Sequence, residues 1–327
     1  MSKLVTIFGG SGFVGRHIAR RMAKAGWRVR VAVRNPNLAM HVKPYGAVGQ
    51  VEPVFCNIRD DGSVRDVLAG ADAVVNCVGI LVESGRNGFE AVQAEGPGRI
   101  ARLAAEAGIS RMVQLSAIGA DAGSPSAYAR SKAAGEAAVL AALPGAMVLR
   151  PSVIFGPGDS FFNRFAAMAQ FGPVLPITGA GTRFQPVYVD DVAAAAELYL
   201  LDGAGGGIYE LGGPEVKTFR ALMQDMLGVI RKRRWVLALP QPAAQTMAWS
   251  FDMLQKLSGG LLVNRMLTRD QLKSLARDNV VAPDARGFAD LGISPAAMGA
   301  VLPGYLWRFR PDGQYAVLKD AARNLRT

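Results

Sequence analysis

A glycine-rich turn near the start of the chain constrains the fold more than any other feature. The sequence Gly9-Gly10-Ser11-Gly12-Phe13-Val14-Gly15 follows the apolar run Leu4–Phe8, which is typical of a buried parallel strand. Residues 16–25 then have a helical pattern, and residues 27–33 alternate as a second strand. A glycine turn between a strand and a helix, with a second strand within about 30 residues, is the setting of a dinucleotide-binding site.

The glycines at positions 9, 12 and 15 have separate roles in such a turn. One allows the tight turn, one lets the backbone approach the pyrophosphate, and the last lets the helix pack closely on the sheet. The phosphates then lie at the helix N-terminus, where free N–H groups and the helix dipole favour negative charge. The turn predicts cofactor contacts from Gly9, Ser11, Gly12, Phe13, Val14, Gly15 and Arg16. The alternative is a glycine-rich turn that binds nothing.

Strands and helices alternate through the rest of the first half. Residues 51–56, 73–77 and 112–115 have the composition of buried strands, and residues 89–107 that of a helix with an irregularity at Gly96-Pro97-Gly98. This alternation predicts an α/β protein with a Rossmann-type, doubly wound parallel sheet.

The domain organisation follows from the same pattern. We assign residues 1–155 to a dinucleotide-binding domain, with strand and helix returns near 185–215, and residues 156–327 to a smaller, mixed C-terminal domain. Asp190 is expected to be the N-cap of a helix over residues 192–201.

The residue after the second strand indicates which dinucleotide is bound. NAD-binding proteins place an acidic residue there to hold the ribose hydroxyls, whereas this chain has Arg34. A guanidinium can pair with a 2′-phosphate, and Arg16 is placed to assist. Arg34 therefore favours NADPH over NAD, and the alternative is a solvated loop arginine.

Two spacings resemble those of the short-chain dehydrogenase/reductase superfamily, in its extended and atypical branches. One is Gly9-x-x-Gly12-x-x-Gly15, and the other is Tyr128-Ala129-Arg130-Ser131-Lys132, which begins twelve residues after Ser116. The resemblance implies that Lys132 lowers the pKa of Tyr128 and holds the ribose, while Tyr128 transfers a proton.

The third catalytic group of that superfamily is in question here. Ser116 is followed by Ala117 and Ile118, where active members carry further hydroxyls. We therefore assign no catalytic residue. If the protein is active, the candidates are Tyr128, Lys132 and Ser116. The alternative is that Tyr128 and Lys132 only anchor the cofactor.

The same resemblance implies cofactor contacts at the ends of other strands. Asn57 stands where the superfamily usually has an Asp beside the adenine, and Ile58 follows it. Further contacts are expected at Cys77, Val78, Gly79 and Pro151. Cys77 is interpreted as a small core residue rather than a reactive thiol.

Composition excludes several classes of protein and of site. Half of the 327 residues are apolar and 19% are charged, which excludes intrinsic disorder. No run of 18 apolar residues is free of charge, proline or clustered glycine, so we expect no transmembrane helix. Ser2 and Lys3 lead straight into a strand with no basic segment before an apolar one, so we expect no secretion signal. The two cysteines and the isolated His17 and His41 make no metal site, and a reducing compartment fits.

The positive charge is concentrated in the last third of the chain. Residues 217–327 carry 17 Lys and Arg against 8 Asp and Glu. Within the segment 225–275, the cluster at residues 231–234 precedes Trp235, and an apolar stretch follows that contains Met247, Trp249, Phe251, Met253 and Leu254. Cations beside Trp and aliphatic residues are typical of an element that faces lipid headgroups at a membrane surface. The alternative is a basic loop before an ordinary core strand, and no nucleic-acid motif is present.

The resemblance extends further along the chain. Residues 150–159, 185–192 and 208–213 resemble segments of the extended branch, the last of them the strand that opens its smaller domain. Residues 5–36, 267–273 and 278–281 resemble the nucleotide-binding accessory subunits of respiratory complex I, the ninth alpha-subcomplex subunit family, in their bacterial form.

That family resemblance implies a function. It implies tightly held NADPH without turnover, contacts with complex I core subunits, and a peripheral position near the quinone site on the cytoplasmic face of the bacterial inner membrane. One alternative is an active NADP(H)-dependent reductase or epimerase, on a small or lipid-like carbonyl substrate or in quinone metabolism. Another is a cofactor-sensing regulatory protein.

Overall fold

The computed structural model describes most of the chain. It covers residues 2–203, 205–240 and 268–315, together with residues 242, 245, 246, 249, 250 and 253. Met247, Phe251, Leu254 and Leu267, which the sequence analysis singled out, lie outside the described residues. Among the helices that are described, none has the length and apolar character needed to cross a bilayer.

In the described part of the chain, seven parallel strands form the main sheet. Their spatial order is β11-β6-β5-β4-β1-β2-β3. Strands β2 and β3 lie on one side of β1 and the later strands on the other, so the order in which strands are added reverses between β1 and β4. The strands are β1 Leu4–Phe8, β2 Arg28–Val33, β3 Val51–Phe55, β4 Ala73–Asn76, β5 Arg111–Leu115, β6 Met147–Pro151 and β11 Gly207–Leu211. In sheets of this kind, ligands bind outside the carboxyl ends of the strands at the reversal.

Helices cover both faces of the sheet, which confirms the doubly wound architecture. Helices α1 (Phe13–Lys24) and α6 (Val189–Asp202) pack together over one apolar cluster. Helices α2 (Asp61–Leu68), α3 (Glu95–Glu106) and α4 (Ala127–Ala142) cover the other face.

A second apolar cluster lies outside the sheet and contains most of the second-half elements. Its short strands pair as β7 with β10, β8 with β13, and β9 with β12. The bounds are β7 Ile154–Phe155, β8 Val174–Ile177, β9 Arg183–Phe184, β10 Val187–Tyr188, β12 Lys217–Thr218, β13 Trp235–Ala238, α5 Phe162–Met168, α7 Phe219–Val229, α8 Arg269–Leu275, α9 Met298–Val301 and α10 Pro303–Leu306. The domain division at residue 155 stays a prediction.

Two helices of the first half differ in detail from the sequence-based expectation. Helix α1 begins at Phe13 rather than at residue 16, because Gly12 already serves as its N-cap. The irregularity expected at Gly96-Pro97-Gly98 is a π-helical turn one turn earlier, at Glu90–Ala94. Pro97 itself fits in the first turn of α3, where a missing N–H is tolerated.

Two expectations for the second half were wrong. Gly207–Leu211 pairs with β6 at the edge of the main sheet and does not open the smaller domain. Asp190 is not an N-cap, because β10 runs directly into α6 and the helix begins at Val189. The Asp190 carboxylate instead accepts hydrogen bonds of 3.1 and 2.7 Å from the Arg21 guanidinium, which ties α6 to α1.

Candidate functional site

The glycine turn takes the shape that a bound pyrophosphate requires. Gly9 has a φ of +72°, and its N–H donates to the Ala32 carbonyl at 2.9 Å. A Cβ at Gly15 would lie 2.4 Å from the Gly9 carbonyl oxygen, so only glycine permits this approach of helix to turn. No side chain caps α1, and its first turn carries no acidic residue. The N–H groups of Phe13, Val14 and Gly15 in this first turn, with that of Ser11 before them, can therefore bind an anion, whereas the Gly12 N–H donates to the Gly9 carbonyl at 3.0 Å.

The glycine turn meets the end of β4 at the point where the strand order reverses, between β1 and β4. A Cβ at Gly9 would be 3.3 Å from the Cys77 carbonyl carbon and from Val78. The Val78 N–H donates to the side chain of Asn76, which is fully buried. Burial raises the pKa of the Cys77 thiol to about 12, so the thiol stays protonated, in line with a core role.

Three of the residues predicted to contact the cofactor follow strands on the other side of β1. Arg34 follows β2, and Asn57 and Ile58 follow β3. Arg34 is exposed directly after β2 and has no ion-pair partner among the described residues. The Asn57 side-chain oxygen accepts from the Arg59 N–H at 3.2 Å, while Ile58 packs against Gly96. The Arg16 guanidinium, which was expected to assist Arg34, donates to the Pro157 carbonyl.

Tyr128 and Lys132 lie one turn apart on α4, as their spacing predicts. The Lys132 Nζ is 5.9 Å from the centre of the Tyr128 ring and donates to the Leu115 carbonyl at 3.3 Å. It also lies against the Gly79 backbone, since a Cβ there would be 3.3 Å from it. The Lys132 side chain therefore connects the end of β4 with the end of β5.

Burial shifts the pKa values of both groups. It lowers the pKa of Lys132 to about 8, although Glu136 and Cys77 act in the opposite direction. It raises the pKa of Tyr128 to about 12. The phenol is thus protonated at neutral pH, and the lowering of its pKa that the superfamily resemblance implies is absent here.

Ser116 follows β5 and has an unmet hydrogen-bonding capacity. It is 5% exposed, and among the described residues its Oγ is the buried side-chain oxygen or nitrogen without a hydrogen-bond partner. Beside it, Pro151 ends β6 and accepts from the Ile118 N–H at 3.0 Å. An orphaned hydroxyl, a buried ammonium and an uncapped helix N-terminus along one sheet edge fit a dinucleotide with its ribose at Lys132.

A C-terminal segment that sequence reasoning did not place in the site forms one wall of it. We call residues 268–286 the strap. Its Asp270 carboxylate accepts from Ser126 Oγ at 2.7 Å, from the Ala127 N–H at 2.8 Å and from the Tyr128 N–H at 3.2 Å. Asp270 therefore adds a second cap, beside the N-cap Ser126, to the helix that carries Tyr128 and Lys132.

The strap continues over the carboxyl edge of the sheet. Lys273 donates to the Pro125 carbonyl at 3.2 Å, and Ser152 Oγ donates to the Asn279 side chain at 2.7 Å. A cleft of about 260 Å³ remains between these strap residues and Tyr128 and Lys132. A local signal for α8 was present in the sequence, because Thr268 and Gln271 have the spacing of a capping box and form one. Its docking site on α4 had no such signal.

We predict that replacing Lys132 by Met stabilises the nucleotide-free protein at pH 7, by about 2–3 kcal/mol. The folded pKa of about 8 lies below the ordinary 10.5, so between these values the unfolded chain holds more protons. Burial of the charged Lys132 ammonium therefore destabilises the wild-type protein fully below pH 8. This destabilisation disappears as the pH rises to 10.5. Denaturant unfolding of both proteins across this range measures the difference, and a variant less stable than wild type at pH 7 would contradict it.

We predict that Asp270→Ala loosens the start of α4. It removes three hydrogen bonds and the charge at the helix N-terminus, for a loss of about 1–2 kcal/mol. Hydrogen exchange at the amides of residues 127–130 should become faster. Asp278→Ala is the matched control, since Asp278 lies on the same strap but binds exposed Arg183. Equal exchange rates at these amides in both variants would show that Asp270 does not stabilise the start of α4.

Comparisons with known proteins agree with this geometry. The sequence model of the NAD dependent epimerase/dehydratase family matches residues 5–212. NADH dehydrogenase [ubiquinone] 1 alpha subcomplex subunit 9, mitochondrial, of Arabidopsis thaliana is 37% identical over 95% of this chain and 79% of its own. A Caulobacter vibrioides protein named ceramide reductase is 32% identical over 76% of this chain and 78% of its own.

A solved structure shows the same fold. DesIV, a dTDP-glucose 4,6-dehydratase from Streptomyces venezuelae with NAD and TYD bound, has a TM-score of 0.69 at 21% identity, over 96% of this chain and 99% of its own. The glycine turn, the Tyr128–Lys132 pair and these similarities lead to one conclusion: the chain belongs to the NAD dependent epimerase/dehydratase family, and within it to the family of alpha subcomplex subunit 9 of NADH dehydrogenase [ubiquinone].

Proposed function

We propose that this protein is an NADPH-binding accessory subunit of respiratory complex I. In this proposal it stabilises the junction of the peripheral and membrane arms near the quinone site and catalyses no reaction of its own. The observation that carries the proposal is that similarity to the Arabidopsis subunit spans 95% of the chain, and so extends beyond residues 5–212 into the strap.

The construction of the site favours a nucleotide that is held rather than exchanged. The strap narrows the cleft beside Tyr128 and is bonded to α4, to Ser152 and to Arg183. The two positions after Ser116, where active members carry further hydroxyls, hold Ala117 and Ile118. Tyr128 and Lys132 then act as anchors for the nicotinamide and its ribose.

A peripheral position at the membrane, on the cytoplasmic face of a bacterial inner membrane, is part of the proposal. Trp235 is 78% exposed and Phe171 is 79% exposed, and the backbone N–H of Trp235 binds Pro173 close to Phe171. Arg231 and Arg233 are exposed beside this patch. The other two cations of the cluster turn inward, because Lys232 binds Gln170 and Arg234 binds the Ala169 carbonyl at the end of α5. The exposed Arg231 and Arg233 can therefore face lipid headgroups or a partner subunit.

An active NADP(H)-dependent reductase or epimerase is the second candidate. The intact Tyr128–Lys132 geometry and the relative named ceramide reductase favour it. Bound NADPH would supply a hydride to a carbonyl carbon, and protonated Tyr128 would donate the proton to its oxygen. The two candidates differ in whether NADPH is consumed.

The proposal predicts that the tagged chain, pulled from gently solubilised native membranes, brings complex I core subunits and stoichiometric NADPH with it. Trp235→Gln should reduce this recovery, whereas Leu38→Gln should not, although both side chains are 78% exposed. Protein mass spectrometry and nucleotide release measure the outcome. A partner-free chain that loses its nucleotide on dilution and oxidises NADPH with added carbonyls would support the reductase instead.

Arg34→Gln should weaken NADPH binding roughly tenfold or more and leave NADH binding nearly unchanged. The guanidinium makes charge-assisted hydrogen bonds only to the 2′-phosphate that distinguishes the two nucleotides. Arg28→Gln is the matched control, since Arg28 is exposed at the opposite end of β2. Calorimetric titration with both nucleotides measures this, and an equal loss for NADH and NADPH would refute the role of Arg34.

A further inference from the structure

An apolar pocket opens on the side of Tyr128 that faces the second cluster. Its volume is about 400 Å³, within the range of about 300–1,000 Å³ that is usual for ligand pockets. The walls come from α5, from the end of β8 and from the strap. Most lining side chains are apolar, among them Leu81, Phe161, Phe165, Met168, Ile177 and Leu275.

The aromatic residues that line this pocket are held in place by contacts with one another and with further rings. Phe161 and Phe165 pack edge to face with ring centres 5.6 Å apart, and Phe165 packs on Phe219 at 5.3 Å. Phe161 also contacts the fully buried Phe162 at 5.0 Å. Interlocked rings of this kind keep the cavity from collapsing when it is empty, so the pocket is preformed for an apolar ligand.

Two of the described lining residues are charged, Asp270 and Arg164. The Asp270 carboxylate accepts three hydrogen bonds at the start of α4. Arg164 is half-buried on α5, and burial lowers the pKa of its guanidinium, which remains charged at any physiological pH. Arg164 makes an interaction of its own, but a guanidinium has five N–H donors and can bind an anion as well.

The lining suits an apolar chain better than a sugar. Besides Arg164 and Asp270, its polar residues are Tyr128, Thr178, Gln271 and Ser274, while rings and aliphatic side chains make up most of its surface. A bound sugar needs donors and acceptors for several hydroxyls. A long apolar chain gains by leaving water for such a surface, and a single anionic group can accept further N–H donors of the Arg164 guanidinium.

We propose that this pocket binds an amphiphile with one apolar chain and an anionic head group, with the chain against Phe161 and Phe165 and the head group at Arg164. A free long-chain carboxylate and the phosphate of a single-chain phospholipid share this chemistry. The site goes beyond nucleotide binding and does not require assembly with other subunits. Its position next to Tyr128 makes the bound chain a neighbour of the nicotinamide end of the dinucleotide site.

The test is calorimetric titration of the full chain with ligands below their critical micelle concentrations. Decanoate should bind saturably with one site, and decyltrimethylammonium, with the same chain and opposite charge, at least roughly tenfold more weakly. Shortening the carboxylate should weaken binding roughly fourfold for each methylene removed. Tighter binding of 1-decanoyl-lysophosphatidylglycerol than of decanoate, which has the same acyl chain, would support a phospholipid source, and the reverse order a free acid.

Two variants locate the site. Arg164→Gln should weaken decanoate roughly tenfold, whereas Arg65→Gln, an exposed arginine on α2, should bind like wild type. Met168→Trp fills the pocket and should abolish binding, with its fold checked by circular dichroism. Equal binding of the cation and the carboxylate, or wild-type binding by Arg164→Gln, would overturn the proposal. Either result is independent of whether the chain co-purifies with complex I.

Discussion

The position of helix α4 determines the geometry of the whole candidate site, and contacts from distant parts of the chain fix that position. Its N-terminus is capped by Asp270 of the strap. Its middle lies against the π-turn, because a Cβ at Gly135 would be 2.1 Å from the Gln93 carbonyl oxygen. Farther along, the buried Glu136 carboxylate accepts a 2.9 Å hydrogen bond from Arg150 of β6. Tyr128 and Lys132 have little freedom to move, since the helix between these contacts cannot slide or rotate.

The strap connects this helix to the second apolar cluster and gives the site two compartments. Ser274 lines both the cleft at α4 and the apolar pocket at α5, while Asp270 lines the pocket and bonds the start of α4. Leu275 accepts from Thr182 Oγ1 at 2.5 Å through its backbone, which anchors the strap beside β9. The dinucleotide side is thus polar and lined by strand ends, while the pocket side is apolar. One segment of the chain separates them, so a change in the strap would act on both.

The first-half fold could be predicted because its signals are local. Strand periodicity, the turn at Gly9 and the spacing of Tyr128 and Lys132 each lie within a few residues, and the structure has all of them. Asp190 shows the limit of such reasoning. Two acidic residues before a helical pattern suggest an N-cap, but the partner that decides its role, Arg21, lies 169 positions away. The same holds for the strap, since Asp270 meets Ser126 across 144 positions and no local pattern in the sequence records that contact.

The energetic cost of the site argues for a ligand. Lys132 is 6% exposed and its ammonium makes one hydrogen bond of 3.3 Å, so two of its three donors are unsatisfied by the described residues. The Ser116 hydroxyl is likewise buried without a partner. A fold selected for stability alone would replace both groups with apolar side chains. In the proposed NADPH complex, ribose hydroxyls beside Lys132 would supply the missing acceptors, so binding would offset the desolvation cost of the empty site.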